Sequence, residues 1–82
     1  MTPLVQHAMQ RAFERYGEHL NRVSYYALVK RIQNGDSVCI KRMSNDRSIH
    51  LVDGMVCVYS KRRHKIVTFL PADCREMTHF IQ

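Results

Sequence analysis

The chain has 82 residues, 45% of them hydrophobic, which supplies one small core and leaves no room for a second. Thirteen Lys and Arg residues against seven Asp and Glu residues give a formal net charge of +6 and a pI near 9.7. Such a balance favours polyanionic partners, nucleic acid first and an acidic protein second. We therefore expect residues 1–82 to form one basic domain. No apolar run approaches the roughly 20 residues of a membrane span, so no membrane partner is expected.

Cysteine usage indicates a reducing compartment. The chain has an odd number of cysteines, the three residues Cys39, Cys57 and Cys74. No C-x-x-C motif occurs, and nothing resembles a secretion signal. The sequence thus favours a location in the reducing cytoplasm, and it argues against a framework of disulfide bonds. Histidine and cysteine spacings are unlike those of zinc sites, so neither a metal nor another cofactor is expected.

The first predicted helix begins with Thr2 as N-cap and Pro3 at the first helical position, and ends before Gly17. One of its edges carries His7, Arg11 and Arg15 at spacings of four residues, which stack on one side of a helix. A titratable base and two fixed cations in a row can hold a phosphate and move a proton. The same stripe is also typical of an ordinary solvated helix edge.

A second helix is predicted from the cap residue Asn21 to Gly35, after which the hydrophobic period changes from 3.6 to 2. Four strands follow, at about Ser37–Ser44, Arg47–Asp53, Met55–Ser60 and Lys65–Leu70. Asn45-Asp46 and Asp53-Gly54 are the expected two-residue turns, Lys61–His64 is the third tip, and Pro71 opens a short C-terminal helix. The fold class is α+β: two N-terminal helices on one face of a four-stranded antiparallel meander.

These turn lengths predict the register and therefore the two faces of the sheet. One face is nearly apolar and is expected to lie under the helices; it contains Ile40, Leu51, Val56, Phe69, Arg42, Ile49, Val58 and Val67. The other face is expected to hold the row Lys41–His50–Cys57–Thr68, with Tyr59 beside it. A row of four strands is about 15 Å wide, which suits a strand of RNA. A half-solvated sheet face with scattered polar residues is the alternative.

The third tip, with Lys61, Arg62, Arg63 and His64, places three fixed charges where phosphate contacts form easily. Basic tips also serve simply to keep sheet edges soluble. Tyr25 and Tyr26 are interpreted as core and helix–sheet contacts rather than base-stacking platforms. The predicted nucleic-acid-binding residues are Arg15, Lys41, His50, Tyr59, Lys61, Arg62, Arg63 and His64.

The N-terminal helix carries the pattern His-Ala-x-x-Arg-x-x-Glu-Arg-x-Gly over residues 7–17. Later come Asn34-Gly35, Tyr59 and a strand with Ile66-Val67-Thr68. Together these features resemble the small toxin-like proteins of the barnase–EndoU–colicin–RelE ribonuclease superfamily. More narrowly, the chain is similar to prophage and toxin-associated domains with an N-terminal His-Ala-x-x-Arg helix.

The resemblance implies metal-independent RNA cleavage in which a ribose 2′-hydroxyl attacks the neighbouring phosphate. It implies that His7 is the general acid or base, that Arg11 steadies the phosphate, and that Thr68 helps hold the substrate. His7 and His50 are expected on different sides of the sheet, so they do not share one site. The resemblance favours His7 as the functional histidine, whereas only the predicted register favours His50.

Three functions remain open from the sequence. The first is an RNA-binding protein or metal-independent, toxin-like ribonuclease. The second is a non-catalytic phage or prophage protein that binds and inhibits a host protein through the same scaffold. The third is an oligomerising structural module, because the predicted strand Ser37–Ser44 offers an open edge, and either a monomer or a homodimer is compatible with the pattern.

Overall fold

The computed structural model describes residues 3–71. Two helices, α1 (Pro3–Tyr16) and α2 (Arg22–Gln33), precede four strands, β1 (Val38–Arg42), β2 (Arg47–Val52), β3 (Met55–Ser60) and β4 (Lys65–Leu70). The strands form one antiparallel sheet in chain order, so the predicted α+β meander is confirmed. No helix among these residues is long and apolar enough to cross a membrane. The expected C-terminal helix lies outside the described residues.

Local sequence signals set the helix ends. The α1 helix stops at Gly17, which has a φ of 68° and donates its amide to the Phe13 carbonyl at 2.9 Å. At the start of α2, the Asn21 side chain accepts from the Ser24 amide and the Ser24 hydroxyl accepts from the Asn21 amide, both at 2.8 Å. This reciprocal capping box satisfies two backbone donors, and it confirms the predicted start of α2.

The β2–β3 hairpin has the predicted register. Its central pair is His50 opposite Cys57, and Val52 lies opposite Met55 beside the two-residue turn. Both turn residues, Asp53 and Gly54, have positive φ values of 54° and 77°. This is the conformation that a two-residue hairpin turn requires, so the Asp-Gly signal identified the turn correctly.

A bulge interrupts the pairing of β1 with β2. Cys39 lies opposite His50 and Lys41 lies opposite Ile49, which leaves Ile40 as the extra residue. The predicted pairing of Lys41 with His50 is therefore wrong. The connecting loop is also longer than the predicted two residues, because β1 ends at Arg42 and β2 begins at Arg47.

A second bulge interrupts the pairing of β3 with β4. Tyr59 lies opposite Ile66 but Val58 lies opposite Thr68, so Val67 is the extra residue. The predicted row Lys41–His50–Cys57–Thr68 does not exist. The observed row is Cys39, His50, Cys57 and Phe69.

The helices cover the face of the sheet that carries Cys57 and Tyr59, so the prediction that they cover the nearly apolar face is wrong. The bulge at Val67 explains the difference, because it moves Phe69 to this side and makes the face apolar enough to bury. The helix-side core consists of Val5, Ala8, Ala12, Tyr25, Leu28, Val29, Ile32, Val52, Met55, Cys57, Tyr59, Ile66 and Phe69. A second buried cluster consists of Ile40, Ile49, Val56, Val58 and Val67, with Leu4, Leu51 and Leu70 packed against it.

Each helix also sends a tyrosine hydroxyl to the backbone of β4. The Tyr16 hydroxyl donates to the Leu70 carbonyl at 2.6 Å and accepts from the Val56 amide at 3.0 Å. The Tyr25 hydroxyl donates to the Ile66 carbonyl, next to the bulge, at 2.7 Å. Burial raises the pKa of Tyr25, so its phenol stays protonated and remains a donor. The two hydroxyls fix the helices at opposite ends of β4.

Candidate nucleic-acid interface

One end of the sheet has a high net positive charge. The β1–β2 and β3–β4 loops lie there, and the Asp53-Gly54 turn lies at the other end, about 20 Å away for strands of six residues. Among the described residues, this end has one acidic side chain, that of Asp46, and six cationic side chains. The formal charge there is thus +5, compared with +6 for the whole chain. We call this region the basic end; its cations are Arg42, Arg47, Lys61, Arg62, Arg63 and Lys65.

The carboxylate of Asp46 holds the tip of the β3–β4 loop in place. It accepts from the Arg62 amide at 2.6 Å and from the Ser60 hydroxyl at 3.0 Å, and the Asp46 carbonyl accepts from the Lys61 amide at 2.7 Å. The Ser60 hydroxyl accepts in turn from the Arg63 amide at 3.2 Å. One aspartate and one buried serine thus satisfy three consecutive backbone amides of the tip.

The hydrogen bond from the Arg62 amide is the main reason that the pKa of Asp46 lies below its ordinary value of 3.8. The Ser60 hydroxyl and the charges of Arg62 and Arg47 act in the same direction, whereas partial desolvation opposes them. The carboxylate is therefore ionised throughout the neutral range. An ionised carboxylate accepts amide hydrogen bonds strongly, which favours an ordered loop.

The cationic side chains of the tip are available to a ligand. Lys61, Arg62, Arg63 and His64 are exposed, and none of the three fixed cations forms a side-chain ion pair with the described residues. Arg47 lies 3.8 Å from Asp46 in a largely solvated pair, which is worth little energetically. A phosphate group would therefore displace only water from most of these side chains.

His50 is held in a polar network on the helix side of the sheet. Its Nδ1 lies 3.1 Å from the Ser37 hydroxyl and its Nε2 lies 2.8 Å from the Ser48 hydroxyl. Burial lowers the pKa of His50, which favours the neutral imidazole. A neutral ring has one donor and one acceptor, so one serine accepts from it and the other donates to it. Both ring nitrogens are occupied within the protein, an arrangement that orients the ring and links β2 to Ser37, the residue before β1.

Two other residues of the predicted polar face lie apart from the basic tip. Tyr59 is buried, and its hydroxyl accepts from the Gln33 amide at 3.1 Å. Its ring lies edge-on to that of His50, with 6.1 Å between the ring centres. Lys41 is exposed on the bulged strand β1, opposite Ile49. The structure thus separates Lys41 from the pair of His50 and Tyr59.

The residues assigned to catalysis lie on two elements that pack together, α1 and β4. His7 is exposed, whereas Arg11 is half-buried and binds the Glu14 carboxylate at 2.6 Å. This hydrogen bond is the main cause of a lowered pKa of Glu14. Thr68 is half-buried and Arg15 is exposed in the last turn of α1. Among the described residues, no hydrogen bond joins His7 to Arg11 or to Thr68.

Sequence reasoning missed the residues that organise the basic end. The sequence pattern indicates Asp46 only as a turn residue and Ser60 only as the last residue of a strand. A single acidic residue sixteen positions before Arg62 carries no periodic signal, because the contact depends on the pairing of β2 with β3. The Ser37 and Ser48 contacts of His50 were missed for the same reason.

Residues 3–71 contain no candidate metal-binding group and no disulfide bond. No group of three His, Cys, Asp or Glu side chains there is placed to hold a metal ion. Cys39 is an exposed free thiol, and Cys57 is a buried one whose pKa burial raises to about 12.

Comparisons with known protein families, with curated proteins and with solved structures find no match to this chain.

Proposed function

We propose that this protein binds RNA through the phosphates, at its basic end. The observation that carries the proposal is the ordered tip: Asp46 and Ser60 fix the backbone around Arg62 and Arg63 while the cationic side chains stay exposed. Because the loop is already ordered, less conformational entropy is lost when phosphate binds. The choice of RNA over DNA is supported by the resemblance of the N-terminal helix to ribonuclease-like toxins.

The test is a fluorescence-anisotropy titration of a labelled 12-nucleotide RNA at several salt concentrations, with Arg62→Ala and Arg31→Ala as matched variants. Arg31 lies at the opposite end of the sheet, 3.7 Å from Asp53 in an exposed pair, so both substitutions remove one exposed cation. We expect Arg62→Ala to weaken binding about tenfold at low salt. It should also reduce the slope of log K against log salt by about 0.7, the value for one phosphate contact on a single strand.

Three results would contradict the proposal: absence of RNA binding at low salt, equal losses in the two variants, or an affinity independent of salt. If the protein binds an acidic protein and no RNA, this result would favour the alternative function, the inhibition of a host protein. The same titration with DNA of the same sequence and length tests the preference for RNA.

The packing of α1 against β4 favours a second function, metal-independent RNA cleavage. It places the helix of His7 and Arg11 beside the strand of Thr68. The side chains of Arg11 and Glu14 are 38% and 40% exposed, and an ion pair at such a surface position is weak, so a substrate phosphate can compete for the guanidinium. An imidazole and a cation near one phosphate are the groups that such a reaction needs.

Cleavage is tested by incubating the protein with RNA in EDTA. We expect His7→Ala to lower the rate by at least about 100-fold, the usual contribution of a general acid or base. His19→Ala is the matched control, because His19 is also exposed and lies just beyond α1, against the ring of Phe13. No cleavage by the unmodified protein, or equal loss in both variants, would overturn this second function and leave the binding proposal intact.

A further inference from the structure

A shallow groove of about 450 Å³ runs between the outer surface of α2 and the basic tip. Its apolar lining comes from Val23, Tyr26 and Ala27, and its polar lining comes from Lys30, Gln33 and His64. Val23 is 80% exposed and Tyr26 is 37% exposed, so the groove presents apolar surface to solvent. These exposed apolar side chains lie beside Lys30 and the basic tip.

The two adjacent tyrosines of α2 have different environments, although the sequence predicted both as packing residues. Tyr25 is fully buried and bonded to the Ile66 carbonyl, whereas Tyr26 faces the groove. The ring of Tyr25 meets that of Tyr26 edge-on, with 4.9 Å between the ring centres. This contact helps to hold the ring of Tyr26 in one orientation, so its exposed part is an ordered aromatic surface in the groove.

The groove is continuous with the basic end. His64, a residue of the tip, lines it on one side, and Lys30 lines it from α2. The tip backbone beside the groove is constrained, since His64 has a φ of 55° and the Ser60 hydroxyl binds the neighbouring Arg63 amide. Phosphates at the tip would therefore lie next to an exposed aromatic ring.

We infer that the groove receives an unpaired base of the nucleic-acid strand whose phosphates bind the basic end, with the base stacked on Tyr26. The inference rests on the proposed RNA-binding function and narrows its substrate to single-stranded nucleic acid. Aromatic rings next to cations bind single strands in this way, since every base has an apolar face and a duplex keeps its bases stacked inside. The positive charge of Lys30 and of the tip complements the strand on both sides of the base.

The experiment compares three probes: a labelled 12-nucleotide single-stranded RNA, its duplex with a complementary strand, and inorganic polyphosphate, which has the charge but no bases. Tyr26→Ala should weaken binding of the single strand about tenfold, which matches the loss of one stacked base. It should leave polyphosphate and duplex affinities unchanged. Tyr26→Phe, which keeps the ring, should bind the single strand like the unmodified protein. Val23→Ala is the matched control for loss of exposed apolar surface in the same groove.

The outcomes separate this inference from the proposed function. If neither RNA nor polyphosphate binds the unmodified protein, both are overturned. If RNA binds through Arg62 but Tyr26→Ala has no effect, the stacking site is overturned and the phosphate site stands. Equal losses for RNA and polyphosphate in Tyr26→Ala, with an unchanged circular-dichroism spectrum, would also overturn the stacking site. Weakening by Val23→Ala as large as that by Tyr26→Ala would mean a nonspecific apolar contact, and would overturn it as well.

Discussion

The two ends of the sheet are ordered by different means. At the Asp53-Gly54 end, positive φ values close a two-residue turn, and the Tyr16 hydroxyl of α1 enters the backbone pairing of β3 and β4. At the basic end, longer loops are held by the side chains of Asp46 and Ser60. The first arrangement attaches the sheet to a helix. The second fixes only the loop backbone, and so leaves a set of cationic side chains exposed.

Tyr16→Phe tests how strongly the turn end is held. It removes a hydroxyl that both donates to Leu70 and accepts from Val56, so it leaves one backbone acceptor and one backbone donor unpaired. We expect the free energy of unfolding to fall by about 2–3 kcal/mol. Urea denaturation measures the loss, with Tyr26→Phe as a control expected to change stability by less than about 0.5 kcal/mol. Equal stability of the two variants would mean that α1 holds this end by packing alone.

Tyr25→Phe tests the corresponding attachment of α2, nearer the basic end. Here one hydrogen bond is lost, and the Ile66 carbonyl beside the bulge is left without its donor. We expect a loss of about 1–2 kcal/mol, smaller than that for Tyr16→Phe, by the same denaturation measurement. A larger loss than for Tyr16→Phe would reverse the comparison, and would show that the bulge depends on α2 more than the turn depends on α1.

Gly54 and His64 both have a positive φ, one in each of the two loops, so opposite substitutions at these positions compare the loops directly. Gly54 has a φ of 77°, so Gly54→Ala should destabilise the protein by about 1 kcal/mol. His64 has a φ of 55° although it is not a glycine, so His64→Gly should be neutral or stabilise by up to about 1 kcal/mol. Thermal unfolding of the two variants measures both changes. The same sign for both would contradict the assignment of backbone strain to His64.

Asp46→Asn has the smallest expected effect on global stability and the most local one. Because the pKa of Asp46 is lowered in the folded state, its contribution is present above the unfolded value near 3.8 and is lost as the pH falls through the folded value. The free energy of unfolding of Asp46→Asn should therefore lack the part of its pH dependence that the Asp46 carboxyl contributes. Its Arg62 amide should exchange hydrogen faster at neutral pH, while amides of β2 are unchanged. Unaltered exchange at Arg62 would mean that the tip is ordered without the carboxylate.

Much of the architecture followed from short-range signals. Asn21 and Ser24 specify a helix start by themselves, Gly17 ends a helix, and Asp53-Gly54 closes a hairpin. The Lys61–His64 tip was also correctly located, because a run of cations between two strand-like segments belongs to a loop. The residues that organise this tip were not predicted, since Asp46 reaches it only across a strand pair.

Alternation of apolar residues along the strands determined, from the sequence alone, that one face of the sheet is nearly apolar and that Ile40, Ile49, Val56, Val58 and Val67 share it. Only the tertiary structure decided which face the helices cover and which polar residues meet. The physical reason is the pair of bulges at Ile40 and Val67. A one-residue change of register moves every later side chain to the opposite face, and nothing in the local sequence marks where it occurs.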